Sequence, residues 1–438
     1  MEFTRRNFLR NTGSLLAGAT VGPLIFNDTI GAVAANDKVV VGLIGCNGMG
    51  FYNLSDFLKV PDVECAALCD IDGTVLNNRA AEVLKLTGKA PKLYKDYRKL
   101  LEDKSIDVVI VGTPDHWHCL PMVNACEVGK DVYVEKPLAN SIAECEVMVK
   151  AARKYNRVVQ VGQQQRSGEH WKLVTDMIRE GKIGTLRKVN VWANFNYGIG
   201  QPIAADSEVP AGVDFETWLG PAPKRSFNKT RFHGSWRMFW DYGGGLLTDW
   251  GVHLLDMALW PKDVKEAPLA ITASGGNLSF ADHNHETFDT MNVSYQMKDY
   301  VINWQHTAGI ESGPYGRNYG LEFIGDSGTV VINREGYELF PEQENGSYKI
   351  PAIPKQGAND SHLDHVKNFI ECIKTRKDPA CPIENGRLVA LHAHMGNIAL
   401  RTQSRLVWNE AAKNFGNNAP ANALITPNYR APWKMPVI

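Results

Sequence analysis

Lys38-Val-Val-Val-Gly-Leu-Ile-Gly45-Cys-Asn47-Gly48-Met49-Gly50 is the most telling stretch of the chain. Lys38 to Gly45 is a continuous apolar run, the pattern of a parallel strand buried on both faces. A glycine-rich loop follows, and then a helix-compatible stretch. That order sets backbone N–H groups and the positive dipole end of a helix beside the loop, where an anion is stabilised. Glycines let the backbone approach a pyrophosphate. Asn47 stands at the second glycine of the G-x-G-x-x-G pattern. Asn is the non-glycine residue that best adopts φ > 0, so the turn is expected to survive at Asn47.

Val63–Cys69 is a second apolar run and ends in Asp70. An acid at that place receives ribose hydroxyls and repels a 2′-phosphate, which favours NAD over NADP. Further runs at Asp107–Gly112, Asp131–Val134 and Arg157–Gly162 alternate with helical patterns such as Leu76–Lys85 and Ile142–Lys154. Strands alternating with helices predict a doubly wound parallel sheet. After residue 163 the pattern changes. Leu186–Phe195, Ala270–Leu278, Thr290–Met297, Tyr300–Thr307, Leu321–Gly325 and Thr329–Asn333 read as strands joined by short turns, which predicts a second, largely antiparallel α+β domain. Ser361–Arg376 and Glu384–Arg401 read as helices. The expected organisation is a signal at 1–34, an NAD-binding Rossmann domain at 35–162 and a substrate and oligomerisation domain at 163–438. Helices within 361–405 are expected to pack back toward the first domain.

The chain has 438 residues, 44% of them hydrophobic and 22% charged, which is ordinary globular usage. Lys plus Arg is 47 against 48 for Asp plus Glu, a net charge of −1, which argues against nucleic acid as a main partner. No apolar run reaches the roughly 18 residues that a membrane span needs. Eight cysteines are too few for a disulfide scaffold, and free buried thiols are expected. The pairs His116/His118, His362/His365 and His392/His394 match no closed metal site, so no metal is expected.

The N-terminus has the form of an address. Arg5-Arg6 precedes Phe8-Leu9-Arg10, a weakly apolar stretch runs from Gly13 to Phe26, and Ala32-Val33-Ala34 has the small-x-small form of a cleavage site. This resembles a twin-arginine secretory signal, which implies a periplasmic protein exported in the folded state with its cofactor bound.

Three further motifs make the resemblance specific. They are Thr113-Pro114-Asp115-His116-Trp117-His118, Glu135-Lys136-Pro137, and Gly243-Gly244-Gly245-Leu246-Leu247-Thr248-Asp249-Trp250-Gly251-Val252-His253. With the N-terminal loop, this set resembles the glucose-fructose oxidoreductase / inositol dehydrogenase / rhizopine-catabolism (Gfo/Idh/MocA) family over roughly residues 38–405. The resemblance implies a Rossmann domain joined to an α/β domain with a large open sheet, a carbohydrate substrate, and a homodimer or homotetramer. It implies cofactor contacts from Gly45, Asn47, Gly48, Met49, Gly50, Asp70, Thr113, Pro114, His118, Glu135 and Lys136. Asp115 departs from the family pattern, which has Asn there.

Oxidising a sugar hydroxyl removes a proton from oxygen and a hydride from carbon. Histidine is the natural base near neutral pH. The resemblance makes His253 the acid/base and Asp249 a partner of a substrate hydroxyl or of the His253 ring. Lys136 would stabilise developing alkoxide charge, with Pro137 fixing its turn. Arg166, Arg237 and Tyr242 flank the motifs and are expected to bind substrate along with Asp249 and His253, and Trp236, Trp240 and Trp250 are further aromatic candidates. Outside the cytoplasm little NAD is free to exchange, so a tightly held cofactor is expected. The leading expectation is an NAD-dependent oxidoreductase of a sugar or glycoside hydroxyl. An NAD-dependent glycosidase using transient oxidation and elimination is the alternative. A non-catalytic sugar-binding protein is the third, and the presence of Lys136, Asp249 and His253 argues against it.

Overall fold

The computed structural model describes residues 38–438. The expected signal at 1–34 lies outside the described residues. Strands β1 (Val39–Ile44), β2 (Val63–Cys69), β3 (Lys92–Tyr94), β4 (Val108–Val111), β5 (Asp131–Val134) and β6 (Val159–Val161) form one parallel sheet in the order β3-β2-β1-β4-β5-β6. The order reverses at β1, so a crevice opens at its C-terminal end, where Gly45 begins the loop.

Helices α1 (Met49–Phe57), α2 (Gly73–Thr87), α3 (Tyr97–Leu101), α4 (Cys119–Glu127) and α5 (Ile142–Lys154) cover this sheet. Val109, Val111, Val132 and Val134 pack on one side against Met122, Ala125, Met148 and Ala151 of α4 and α5. Val41, Leu43, Val108 and Ile110 pack on the other side against Leu54 and Phe57 of α1. Burial on both faces explains the unbroken apolar runs.

The second domain contains β7 (Leu186–Ala193), β8 (Ala270–Gly276), β9 (Thr290–Gln296), β10 (Val301–Thr307), β11 (Tyr319–Gly325), β12 (Gly328–Asn333), β13 (Gly336–Pro341) and β14 (Ile353–Gln356). They form one sheet in the order β14-β13-β12-β11-β7-β10-β9-β8. Every neighbouring pair is antiparallel except β7 with β10, which is parallel. In β9 and β10 buried residues alternate with more exposed ones, so one face is packed and the other is polar. The packed face is covered by α6 (Glu169–Arg179), α8 (Val252–Leu259) and α10 (Ile383–Arg401), while the short α7 (Phe215–Leu219) belongs to a separate aromatic cluster.

Two helices lock the halves together. Helix α9 (His362–Thr375) lays Val366, Phe369 and Ile370 on the parallel sheet, and α10 buries Ile383 and Ala390 in that core and Leu391 and Met395 in the second. Arg166, which follows β6, donates through Nε and Nη2 to the carboxylate of Asp256 in α8 at 2.7–3.0 Å. Among the described residues, no helix is long and apolar enough to cross a membrane.

The phosphate loop closes backbone on backbone. A Cβ on Gly50 would lie 1.9 Å from the Gly45 carbonyl oxygen, and one on Gly112 would lie 2.4 Å from Gly50 Cα. The left-handed backbone is taken by Gly45 (φ +84°) and Gly48 (φ +46°). Asn47 does not adopt positive φ, contrary to the expectation for its place in the loop. It needs none, because the two flanking glycines carry the strained angles. Gly50→Ala is therefore expected to lower unfolding free energy by about 3 kcal/mol or more, since backbone rather than side chain must move. Gly129→Ala has φ +82° but open space around a Cβ, and is expected to cost about 1 kcal/mol. Urea unfolding of the two variants checks this, and equal losses would contradict the close-contact account.

Candidate active site

One cavity of about 660 Å³ runs along the crevice between the two domains. At one end lie Gly45, Asn47, Gly48, Met49 and Asp70. Gly48 caps the N-terminus of α1, and nothing stands within 4 Å of the place where its Cβ would be. Helix dipole and open backbone meet there, as an anionic pyrophosphate requires. The Asp70 carboxylate accepts from the Cys46 N–H at 2.7 Å and from the Asp72 N–H at 3.0 Å, one on each oxygen. Each oxygen keeps acceptor capacity for a ribose hydroxyl. This end of the cavity fits a dinucleotide carrying a free 2′-hydroxyl. Gly50 does not line the cavity, and its part is the close contact with Gly45.

Thr113, Pro114, Asp115, Glu135 and Lys136 line the middle, at the ends of β4 and β5. The Lys136–Pro137 peptide is cis. Glu135 accepts from Asn53 Nδ2 at 2.9 Å. His118 is placed differently from expectation. Its ring nitrogens lie 2.8 and 2.9 Å from the carbonyl oxygens of Pro137 and Thr113, behind the wall. It braces the turn that carries Lys136 and does not face the cavity. Asp115 is buried, and its carboxyl has no hydrogen-bond partner among the described residues. Burial pushes its pKa well above the usual carboxylate range, with Arg237 and Lys136 opposing the shift.

At the far end Lys136 crosses to the second domain. Its Nζ donates to Asp249 Oδ1 at 2.6 Å and to the Asp249 carbonyl at 3.1 Å. Arg237 Nε donates to Oδ1 at 3.1 Å, and the Tyr197 hydroxyl donates to Oδ2 at 2.7 Å. Burial alone would raise the Asp249 pKa, but the charges of Lys136 and Arg237 outweigh it and hold the carboxyl far below the usual range. Asp249 lies in a π-helical turn (Leu247–Gly251) that runs into α8. π-turns of this kind recur at functional sites.

The expected role of Asp249 changes as a result. Both its oxygens are engaged by protein groups, it is not among the residues lining the cavity, and it makes no hydrogen bond to His253. It is a positioning residue for Lys136 and Arg237. His253, one turn on, does line the cavity. Its Nδ1 is buried without a partner, which leaves Nε2 as the nitrogen that can meet a ligand. Burial, followed by the nearby Arg334 and Lys136 charges, pushes its pKa well below the ordinary histidine value.

Two other expected substrate residues are placed elsewhere. Arg166 is held by Asp256 away from the cavity, and Tyr242 is fully buried against Trp218 and His116. Of the aromatic candidates, Trp236 and Trp250 line the cavity, whereas Trp240 packs under Arg401. The cavity also recruits residues that no motif marked. Tyr197 holds Asp249, Arg334 reaches in from the hairpin between β12 and β13, and Trp433 closes the rim beside Trp117 at 4.9 Å between ring centroids. An arginine in a hairpin turn and a tryptophan near the C-terminus carry no periodic signal.

His365, His392 and His394 serve the fold. His365 takes the Ser167 hydroxyl and the Val161 carbonyl, while His392 and His394 donate to the carbonyls of Leu388 and Ala139. His362 pairs with Asp56 and Asn53 at the cavity edge. Among the described residues, no three His, Cys, Asp or Glu side chains are grouped to hold a metal ion.

Comparison with known proteins accords with this geometry. Residues 39–163 match the family model described as "Oxidoreductase family, NAD-binding Rossmann fold". Residues 170–299 and 339–435 match "Oxidoreductase family, C-terminal alpha/beta domain". A glycosyl hydrolase family 109 protein of Shewanella putrefaciens is 32% identical over 201 residues, which is 42% of this chain and 44% of that protein. An alpha-N-acetylgalactosaminidase of Shewanella oneidensis is 29% identical over the same length. The matched stretch thus spans less than half of these relatives. Among solved structures, the WlbA dehydrogenase of Bordetella pertussis, in complex with NADH and UDP-GlcNAcA, shares the fold at TM-score 0.63 and 18% identity, covering 85% of this chain and 99% of that one. The aldose-aldose oxidoreductase of Caulobacter crescentus shares it at TM-score 0.63 and 21% identity, covering 84% and 99%. Both family models span their domains, and the loop, the Glu135-Lys136-Pro137 turn and the Asp249–His253 helix meet in one cavity: the chain belongs to the Gfo/Idh/MocA oxidoreductase family and carries its NAD-binding Rossmann domain.

Proposed function

We propose that the chain is an NAD-dependent oxidoreductase acting on a sugar or glycoside hydroxyl. The observation that carries this reading is the convergence of Lys136 and His253 at one end of a cavity whose other end offers Gly48 and Asp70. Bound NAD supplies the hydride acceptor. The chain's own residues handle the proton and the charge. The neutral His253 imidazole accepts the hydroxyl proton. The Lys136 ammonium, held by Asp249, stabilises the negative charge that grows on oxygen. Arg237 lies over Trp236, 4.2 Å from the ring centroid, and its remaining N–H groups can bind other hydroxyls. Asp249 stays ionised throughout and keeps Lys136 aimed.

A glycosidase reaction is the second reading, favoured by the names of the relatives. Transient oxidation of a hydroxyl-bearing carbon acidifies the neighbouring C–H and permits loss of the glycosidic substituent. Water would then add to the carbon that lost the substituent, and return of the hydride to the ketone would leave hydrolysis with no net redox change. The twin-arginine-type N-terminus supports periplasmic export with cofactor bound, and a retained cofactor suits this cycle. Incubating the NAD-loaded protein with a panel of glycosides, while following both reduced-nicotinamide absorbance and aglycone release, separates the readings. Neither signal with any glycoside would contradict both.

Lys136→Ala and His253→Ala are expected to lower kcat/KM by about 100-fold or more each, while NAD affinity by fluorescence titration stays within about threefold for His253→Ala. Near wild-type turnover in either variant would contradict the assignment. The pH profile gives an independent check. The base must be unprotonated, and His253 is pushed below 6.5 by burial, so kcat/KM should stay flat as pH falls through 6.5 and drop only at more acid values. An acid limb centred at or above about 6.5 would show that an ordinary histidine sets the rate.

A further inference from the structure

Arg334 is a cation without an anion. It lies in the turn between β12 and β13, with its guanidinium 4.6 Å from the centroid of the Trp250 ring. Nη2 donates to Gln165 Oε1 at 3.3 Å, Nε is buried with no partner, and Nη1 makes no bond to the protein. No described carboxylate pairs with it. Asp249, whose charge acts on Arg334, is already committed to Lys136, Arg237 and Tyr197. The cavity end around His253 therefore presents three cations, Lys136, Arg237 and Arg334, against the carboxylates of Asp249 and Glu135. The buried Asp115 carboxyl, whose pKa burial raises, feels the charges of Arg237 and Lys136 and makes no bond to Arg334.

An uncompensated guanidinium in a half-buried cleft is costly, and hydroxyls cannot neutralise it. A carboxylate can, and its two oxygens match the planar fork of donors. We propose that Arg334 anchors a carboxylate of the substrate, so that the cavity takes acidic sugars of the uronic-acid type in preference to neutral ones. The placement suits a single sugar unit. Trp250 contacts both the guanidinium and His253, whose ring centroid is 6.0 Å from that of Trp250. The carboxylate would sit at Arg334 and the reacting hydroxyl at His253, both beside the indole. This inference rests on the reading of the cavity as a sugar oxidoreductase site.

The test uses the NAD-loaded full chain and matched p-nitrophenyl glycosides: glucuronide against glucoside, and galacturonide against galactoside, in both anomers. The N-acetyl-α-galactosaminide serves as a further neutral probe. Equilibrium binding by calorimetry should show at least one uronide binding about tenfold or more tightly than its neutral partner. Arg334→Met should remove that advantage while leaving the neutral affinity within about twofold, and Arg334→Lys should keep part of it. Unchanged NAD affinity in both variants shows that they are folded. Neutral sugars binding as well as uronides, no uronide binding, or an equal loss for both classes in Arg334→Met would overturn the proposal. Failure of the chain to bind NAD would instead overturn the functional reading beneath it.

Discussion

Asp249 is the carboxylate on which the site depends. It draws Lys136 from the parallel-sheet domain across to the second domain, and gathers Arg237 and Tyr197 onto the same two oxygens. The Lys136 and Asp249 side chains are only 12% and 11% exposed. In that setting an ion pair is an alignment device more than a source of stability, because desolvation offsets much of the attraction. Removing one partner would leave the other charge buried, at about 3–5 kcal/mol. The pairing therefore fixes where the ammonium points, and so where negative charge can form in the cavity.

The rest of the architecture supplies that pairing with two rigid sides. Gly45, Gly50 and Gly112 let β1, α1 and β4 touch through backbone alone, which sets the crevice over the switch point. The Arg166–Asp256 pair and helix α10 fix α8, and with it His253, relative to the first domain. His118 braces the turn of Lys136 from behind through two carbonyls. Burial and neighbouring cations hold the His253 pKa down, so the site sets a base that favours its neutral form among Lys136, Arg237 and Arg334.

Much of this was legible in the chain. The buried parallel strands announce themselves as apolar runs, and α5 begins and ends where its pattern does, at Ile142 and Lys154. β3, three residues at a sheet edge, and β13–β14, at the rim of the second sheet, carry too little apolar pattern to be seen. Motif spacing located Lys136, Asp249 and His253 but not what each one touches. Asp249 and His253 share a helix, yet one faces the ion cluster and the other the cavity. Arg166 sits in a stretch that suggested substrate contact, but Asp256, 90 residues away, had the stronger hold on it. Tyr197 and Arg334 reach the site through long-range sheet packing, which no local pattern encodes.

One cavity is built to hold a dinucleotide at Gly48 and Asp70 and to present its reactive end to Lys136 and His253. A crystal structure of the chain grown with NAD tests it most directly. The expected result is pyrophosphate density at the N-terminus of α1, ribose hydroxyls on Asp70, and the nicotinamide ring facing the Lys136 ammonium and the His253 ring. A dinucleotide bound elsewhere, or a nicotinamide turned away from His253, would contradict it.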